Sequence, residues 1–270
     1  MAADKAADKG ERLRTEIIGV TPFGRPVPHL AVAVARAGGT GVLDLGVDRA
    51  PGLAALADVR RWWTGPFGVR VPAGCRVRPA EIPDAVDTVL VDAPALRSDD
   101  SLDVAGFARG RRLLVEVVDA GEAAAVIPVA RGFTGDVGII ARGSEAGGRV
   151  GEPTSFVLLQ RLAADPAVDV PVYSAGGIGV HTAAAAVAGG AAGVVLDVQL
   201  ALVREMDLPG DVAAALGAMD GGETVVVHGH RVYARPDLPE IELGGLDPAQ
   251  VNARLGSTGL RSRLLPVGQD

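Results

Sequence analysis

Ten residues, Arg142 to Gly151 (Arg-Gly-Ser-Glu-Ala-Gly-Gly-Arg-Val-Gly), put three charges and four glycines into one loop. Glycine lets the backbone turn freely and lets a ligand lie directly against peptide groups. A second loop, Ser174-Ala-Gly-Gly-Ile-Gly179, follows after one helical segment and itself opens a helix. Exposed N–H groups at such a helix start suit a phosphate, and a plain tight turn is the other reading of the same residues. In the first loop Glu145 and Arg149 carry the chemistry. An arginine stays protonated, so Arg149 cannot act as a base. It can bind an anion or stabilise a developing enolate, or it can form a structural ion pair with Asp197 or Glu145. Glu145 reads first as a carboxylate that organises its loop by accepting backbone N–H groups, and second as a base.

Other residues of chemical interest are scattered. Asp44, Asp92, Glu116 and Asp119 close apolar runs, where an acid can line a site or simply face water. His181 follows the second glycine loop and reads as a capping, surface or phosphate-contacting residue. His228 and His230 form a His-x-His pair with no evident third ligand, so no metal site is expected. Cys75 is the single cysteine, which excludes an intrachain disulfide and a cysteine-based zinc site. Trp62 and Trp63 read as packing on the outside of the domain.

The elements that would position these residues follow from periodicity. Apolar runs at 16–22, 40–46, 67–71, 88–93, 112–119, 135–141, 170–175 and 192–197 read as strands. Helical patterns separate them at 29–37, 51–63, 79–86, 120–130, 157–164 and 180–188, and another follows at 212–219. Alternation of strand and helix implies a parallel sheet. Eight such units in roughly 200 residues predict a (β/α)8 TIM barrel, with a doubly wound open sheet as the competitor. In a barrel the active site lies at the strand C-termini, which brings Thr21, Pro22, Arg142–Arg149, Ser174–Gly177 and Asp197–Gln199 to one face. The expected boundaries are a disordered tail over 1–14, the barrel over 15–222, and a C-terminal extension over 223–270. That extension reads as a strand at 223–228, an extended arm at 230–245 and a short helix at 247–255. The chain then breaks off as if entering a linker within a longer polypeptide.

Composition narrows the classes. Hydrophobic residues are 48% and aromatics 3% of the 270 residues, so the core must be built from Val, Leu, Ile and Ala. A net charge of -7 argues against a nucleic-acid partner, which needs a basic face. There is no apolar run of membrane-spanning length and no signal-peptide pattern, so a cytoplasmic protein without a membrane partner is expected.

The combination Glu145-Ala-Gly-Gly148, Ala175-Gly-Gly-Ile178 and Gly190-Ala-Ala-Gly-Val-Val-Leu196, with Thr21-Pro-Phe23 at the first strand end, resembles the nitronate monooxygenase (2-nitropropane dioxygenase-like) family. That family includes flavin-dependent enoyl reductases. The resemblance spans roughly 16–205 and implies a barrel that binds FMN. It places Thr21, Pro22, Gly147, Gly148, Ser174, Ala175, Gly176, Gly177, Asp197 and Val198 around the cofactor, with Arg149 and Glu145 at the reacting face. Two positions depart from the pattern. The family carries a histidine base after Glu-Ala-Gly-Gly, where this chain has Arg149. It carries Gly-Thr against the phosphate, where this chain has Asp197-Val198. The resemblance therefore implies an FMN-dependent oxidoreductase, reductase-like rather than nitronate-oxidising. Its substrate would be a small anion or an acyl group, free or held on an acyl carrier protein, within a polyketide or fatty-acid synthase-type assembly. A catalytically degenerate barrel with a structural or docking role in such an assembly is the alternative.

Overall fold

The computed structural model describes residues 15–96, 102–234 and 264–269, with Gly245, Asp247, Gln250, Val251 and Leu255 between the last two ranges. The expected tail at 1–14 and most of the helix at 247–255 lie outside the described residues.

Eight parallel strands close into a barrel. They are β1 (Glu16–Val20), β2 (Thr40–Asp44), β3 (Phe67–Arg70), β4 (Val86–Asp92), β5 (Arg112–Val117), β6 (Val137–Arg142), β8 (Val172–Ala175) and β9 (Gly193–Leu196). Closure is made by β1 against β9, with Ile18 opposite Val195. A two-residue strand, β7 (Gly148–Arg149), lies in the loop after β6 and off the barrel path. The connecting helices are α1 (Pro28–Arg36), α2 (Arg49–Trp62), α3 (Val104–Ala108), α4 (Ala120–Ala130), α5 (Ser155–Ala164) and α6 (Val180–Ala188), followed by α7 (Gly210–Gly217).

Strands buried on both faces read as near-continuous apolar runs, and two packed layers account for this. Inside the barrel, Ile18, Val20, Val42, Leu90, Leu114, Ile140 and Tyr173 fill the lumen. Outside it, Leu43, Val69, Val89, Val115 and Ile139 face helix residues such as Leu56, Val126 and Leu158. The scarcity of aromatics is offset by close backbone approach. A Cβ on Gly41 would stand 2.0 Å from the carbonyl oxygen of Ala31, so only glycine lets α1 sit this close to β2. The floor of the lumen is polar. Arg112 Nη1 and the Tyr173 hydroxyl donate to Glu16 Oε2 over 2.8 and 2.9 Å. Burial works against the Glu16 charge, but the Arg112 and Thr40 bonds hold its pKa down at about 2.

Three segments differ from the periodicity. The run at 79–86 makes only a single 3-10 turn, Pro79–Glu81, because Pro83 interrupts it. The connection after β4 instead holds α3, capped by Asp103, whose side chain accepts from the Gly106 N–H; five residues are too few to show a helical period. Residues 235–244 of the expected extended arm lie outside the described residues, and the described parts of the extension are paired. β10 (Thr224–Val227) and β11 (His230–Ala234) form a hairpin, and β11 also pairs with β12 (Leu264–Leu265) and with β7. This small sheet folds over the C-terminal mouth of the barrel. It is fixed there by Tyr233, Leu265 and Val267, which pack with Phe23, Leu30 and Met206. Among the described residues no helix is long and apolar enough to cross a membrane.

Candidate active site

The strand C-termini converge on a charged cluster. Thr21, just past β1, is buried; its hydroxyl donates to Arg25 O and accepts from Asp44 N, each over 2.8 Å. Asp44, at the end of β2, is fully buried and also accepts from Gly46 N over 2.8 Å. Arg70, at the end of β3, is the hub: it reaches Asp44 at 3.4 Å, Asp92 of β4 at 3.1 Å and Glu116 of β5 at 2.9 Å. The three acids that could equally have faced water are therefore held by one arginine. Arg70 itself escapes sequence reading. The only signal is a charge ending a short, otherwise apolar strand.

Arg142, at the end of β6, completes the ring from the other side. Its Nη1 donates to Glu116 Oε1 over 3.1 Å and its Nη2 to Asp197 Oδ2 over 2.9 Å. Nη2 also donates to Gly147 O, and Nε donates to Arg149 O over 3.1 Å. Arg149 does not pair with Asp197 or Glu145, as the sequence suggested. Its Nη1 bonds both oxygens of Glu122 at 2.8 and 3.0 Å, and its Nη2 donates to Glu116 O over 3.0 Å. Asp197 is claimed by Arg142, whose guanidinium enters the mouth, while β7 turns Arg149 toward the start of α4. The Nε atoms of Arg70 and Arg149 are buried without an acceptor among the described residues.

The acids in this ring are pulled apart electrostatically. Burial pushes Glu116 up to about 7, against the pull of Arg70 and Arg142 and with the help of Asp92. Asp92 is held below the usual carboxylate range: burial raises it, but Arg70, the hydrogen bond with Glu116 and the fields of Arg149 and Arg142 outweigh that. Asp44 is raised by burial despite Arg70. The two neighbouring acids are thus shifted in opposite directions, Glu116 up through burial and Asp92 down through Arg70.

The two glycine loops lock together beside this ring. Glu145 accepts from Ser155 N over 3.0 Å at the start of α5, and the Ser155 hydroxyl lies 2.8 Å from Gly176 O. Glu145 thus ties the first loop to the second. Gly176 and Gly177 have φ of +94° and +64°, and a Cβ on Gly176 would stand 2.8 Å from the Ala146 nitrogen. Ser174 and Ala175 are buried in β8. The N–H groups of Gly176, Gly177 and Ile178 have no acceptor among the described residues. The loop after β9 is different. Asp197 Oδ1 accepts the Val198 N–H over 2.6 Å, and Gln199 Oε1 accepts the Asp197 N–H over 2.9 Å.

The extension closes the mouth. A Cβ on Gly147 would stand 2.2 Å from Pro266 O, and Gln269 N donates to Glu145 O over 2.8 Å. Beneath Pro266 only about 60 Å³ remains, among Thr21, Pro22, Arg142, Gly148 and Val198. A larger cavity of about 430 Å³ opens to one side, bounded by Phe23, Arg70, Asp92, Arg149, His230 and Pro266. His230 and Pro266 reach the site only through the sheet formed by the extension, a long-range placement without a local signature. The remaining candidates stay apart: His181 is exposed on α6, Cys75 is half-buried, and Trp62 stacks on His29 with ring centroids 4.2 Å apart.

A closed parallel barrel whose strand ends carry two interlocked glycine loops defines the class. No protein-family model matches the chain. A curated relative from Rhodococcus jostii (strain RHA1), (3aS,4S,5R,7aS)-5-hydroxy-7a-methyl-1-oxo-octahydro-1H-indene-4-carboxyl-CoA dehydrogenase, is 32% identical over 226 residues, 81% of this chain and 62% of the relative. The chain therefore spans less than two thirds of that relative's length. FabK from Thermotoga maritima superposes with a TM-score of 0.71 at 25% identity, over 94% of this chain and 85% of that one. A nitroalkane oxidase from Streptomyces ansochromogenes gives a TM-score of 0.65 at 25% identity, over 79% of this chain and 75% of that one. These neighbours match the resemblance carried by the loops: the chain has the likeness of the nitronate monooxygenase and flavin enoyl reductase barrels.

Proposed function

We propose that the chain is the barrel of a flavin-dependent oxidoreductase, with FMN as the flavin, acting on an acyl-type or small anionic substrate. The observation that carries this reading is the pair of left-handed glycines, Gly176 and Gly177, with three unclaimed N–H groups at the phosphate position of a barrel related to a nitroalkane oxidase and a carboxyl-CoA dehydrogenase. The relative named for a CoA thioester supports an acyl thioester as substrate, free or carried on an acyl carrier protein.

The fit to FMN is divided. Gly176, Gly177 and Ile178 would hold the phosphate, and bound flavin would supply hydride transfer. The loop after β9 contributes little, because its N–H groups are taken by Asp197 and Gln199. The mouth, with about 60 Å³ under Pro266, has no room for a ring in this arrangement. Binding there requires the segment Leu264–Gln269 to move. The chain's own residues would supply the rest: Arg149 and Arg70, which line the neighbouring cavity, would orient an anionic oxygen of the substrate.

A second reading, a barrel retained for structure or docking in a synthase-type assembly, is favoured by the Arg70–Glu116–Arg142–Asp197 ring that fills the mouth. The spectrum of the purified chain separates the two. Flavin absorbance, released as FMN on denaturation, is expected. A colourless protein that takes up no added FMN would overturn the flavin reading.

A further inference from the structure

The cavity of about 430 Å³ beside the mouth is not used by the phosphate loop, and it holds the groups of an acid–base site. We propose that this cavity binds a carbonyl compound with an acidic α-hydrogen, such as an acyl thioester, and that His230 Nε2 takes the α-proton while Arg149 and Arg70 hold the carbonyl oxygen.

β7 and β11 pair antiparallel with His230 directly opposite Arg149, a register that sets the two side chains on one face, and both line the cavity. His230 Nδ1 lies 3.1 Å from His228 O. A carbonyl only accepts, so Nδ1 carries the hydrogen and the neutral ring leaves the Nε2 lone pair for a substrate. Nε2 has no partner among the described residues. The titratable and charged groups facing the imidazole are Arg149 on β7, Asp92 on β4, Arg70 and Asp44 on β3 and β2, and His228 on its own hairpin. Burial and then Arg149 lower the His230 pKa, against the His228 carbonyl and Asp92, and keep the ring neutral near pH 7. Arg149 and Arg70 both line the cavity, so their cationic guanidinium groups stand where a developing negative charge on a bound oxygen would be stabilised. Phe23, Pro72, Leu255 and Pro266 supply an apolar wall for the rest of the acyl group.

The step balances without an oxidant. Nε2 accepts the α-proton, the C–H electron pair becomes the carbon–carbon double bond of the enolate, and the carbonyl π pair moves to the oxygen beside the arginines. In deuterium oxide the hydrogen on Nε2 exchanges with solvent, and return of a deuteron from Nε2 to the α-carbon restores the thioester with deuterium in place of hydrogen. The reaction needs no flavin, so it stands or falls separately from the reading above.

The test uses the whole chain with the butyryl thioester of N-acetylcysteamine in deuterium oxide, with α-exchange followed by mass spectrometry. Exchange is expected to rise with pH through a single titration below the ordinary histidine value. His230→Asn keeps a donor for His228 O but removes Nε2, and it is expected to lower exchange by about 100-fold, the usual size of a general-base contribution. Nitrogen NMR of the wild type is expected to show a neutral His230 protonated on Nδ1. Absence of exchange in the wild type, unchanged exchange in a His230→Asn protein with wild-type melting, or the opposite tautomer would each overturn the proposal. Should His230→Asn fail to fold, Arg149→Met takes its place, with loss of exchange expected and wild-type exchange overturning the assignment of Arg149. A colourless protein that exchanges the proton would support this site and sink the flavin reading; a yellow one without exchange does the reverse.

Discussion

Arg142 and Asp197 are joined across the barrel mouth, Nη2 to Oδ2, over 2.9 Å, with both side chains largely buried. The bond links the ends of β6 and β9 and sets Asp197 so that its second oxygen takes the Val198 N–H. One ion pair thus joins the two strand ends and leaves the Val198 N–H occupied.

Breaking that pair from the cationic side is expected to be costly. In Arg142→Met, Glu116 and Asp197 remain buried without their shared partner. Loss of one member of a buried pair costs about 3–5 kcal/mol. Urea denaturation should show a lower midpoint with an unchanged slope; an unchanged midpoint would mean that the ring adds no stability.

Removing the acid is expected to favour the flavin. Asp197→Thr frees the Val198 N–H and removes a negative charge from beside the phosphate position. FMN affinity, read by quenching of flavin fluorescence, should tighten by roughly tenfold, about 1.4 kcal/mol. Equal affinity in the two proteins would place the phosphate away from β9.

The second glycine loop needs a substitution that does not simply break packing. At Gly176 any side chain meets Ala146, whereas a Cβ on Gly177 has 3.6 Å to Glu145. Aspartate also tolerates the left-handed conformation better than most residues. Gly177→Asp should therefore fold and lose FMN binding through charge repulsion. A folded variant with full flavin content would contradict the phosphate assignment.

Stability should also depend on pH in a way set by Glu116 and Asp92. The folded pKa of Glu116 is raised from 4.5 to about 7, so between those values the folded state holds a proton that the unfolded state has released. The resulting stability is fully present below about 4.5 and is lost as pH rises toward 7. Asp92 is shifted down, so its contribution is present above its unfolded value of 3.8 and is lost as pH falls below it. Stability due to this pair should peak near the lower end of the Glu116 window. Glu116→Gln should remove the decline between about 4.5 and 7 in denaturation curves taken across pH; an identical decline would assign it elsewhere.

The sequence by itself determined the barrel. Eight apolar runs spaced by helical patterns admit few closed arrangements. It also placed the two glycine loops at the strand ends, because loop position follows from strand order. It did not determine who pairs with whom among the charges. Arg149 and Arg142 lie in one loop, and only the path of β7 decided that Arg149 turns to Glu122 while Arg142 takes Asp197. Nor could periodicity show that Thr224–Ala234 and Leu264–Gln269 fold over the mouth and carry His230 and Pro266 into it. Those placements depend on pairings between residues far apart in the chain, such as His230 with Arg149. Side-chain partners across a barrel mouth are set by closure of the sheet and by the competition of buried charges for one another. That information is carried by the whole fold, and no local stretch of the chain contains it.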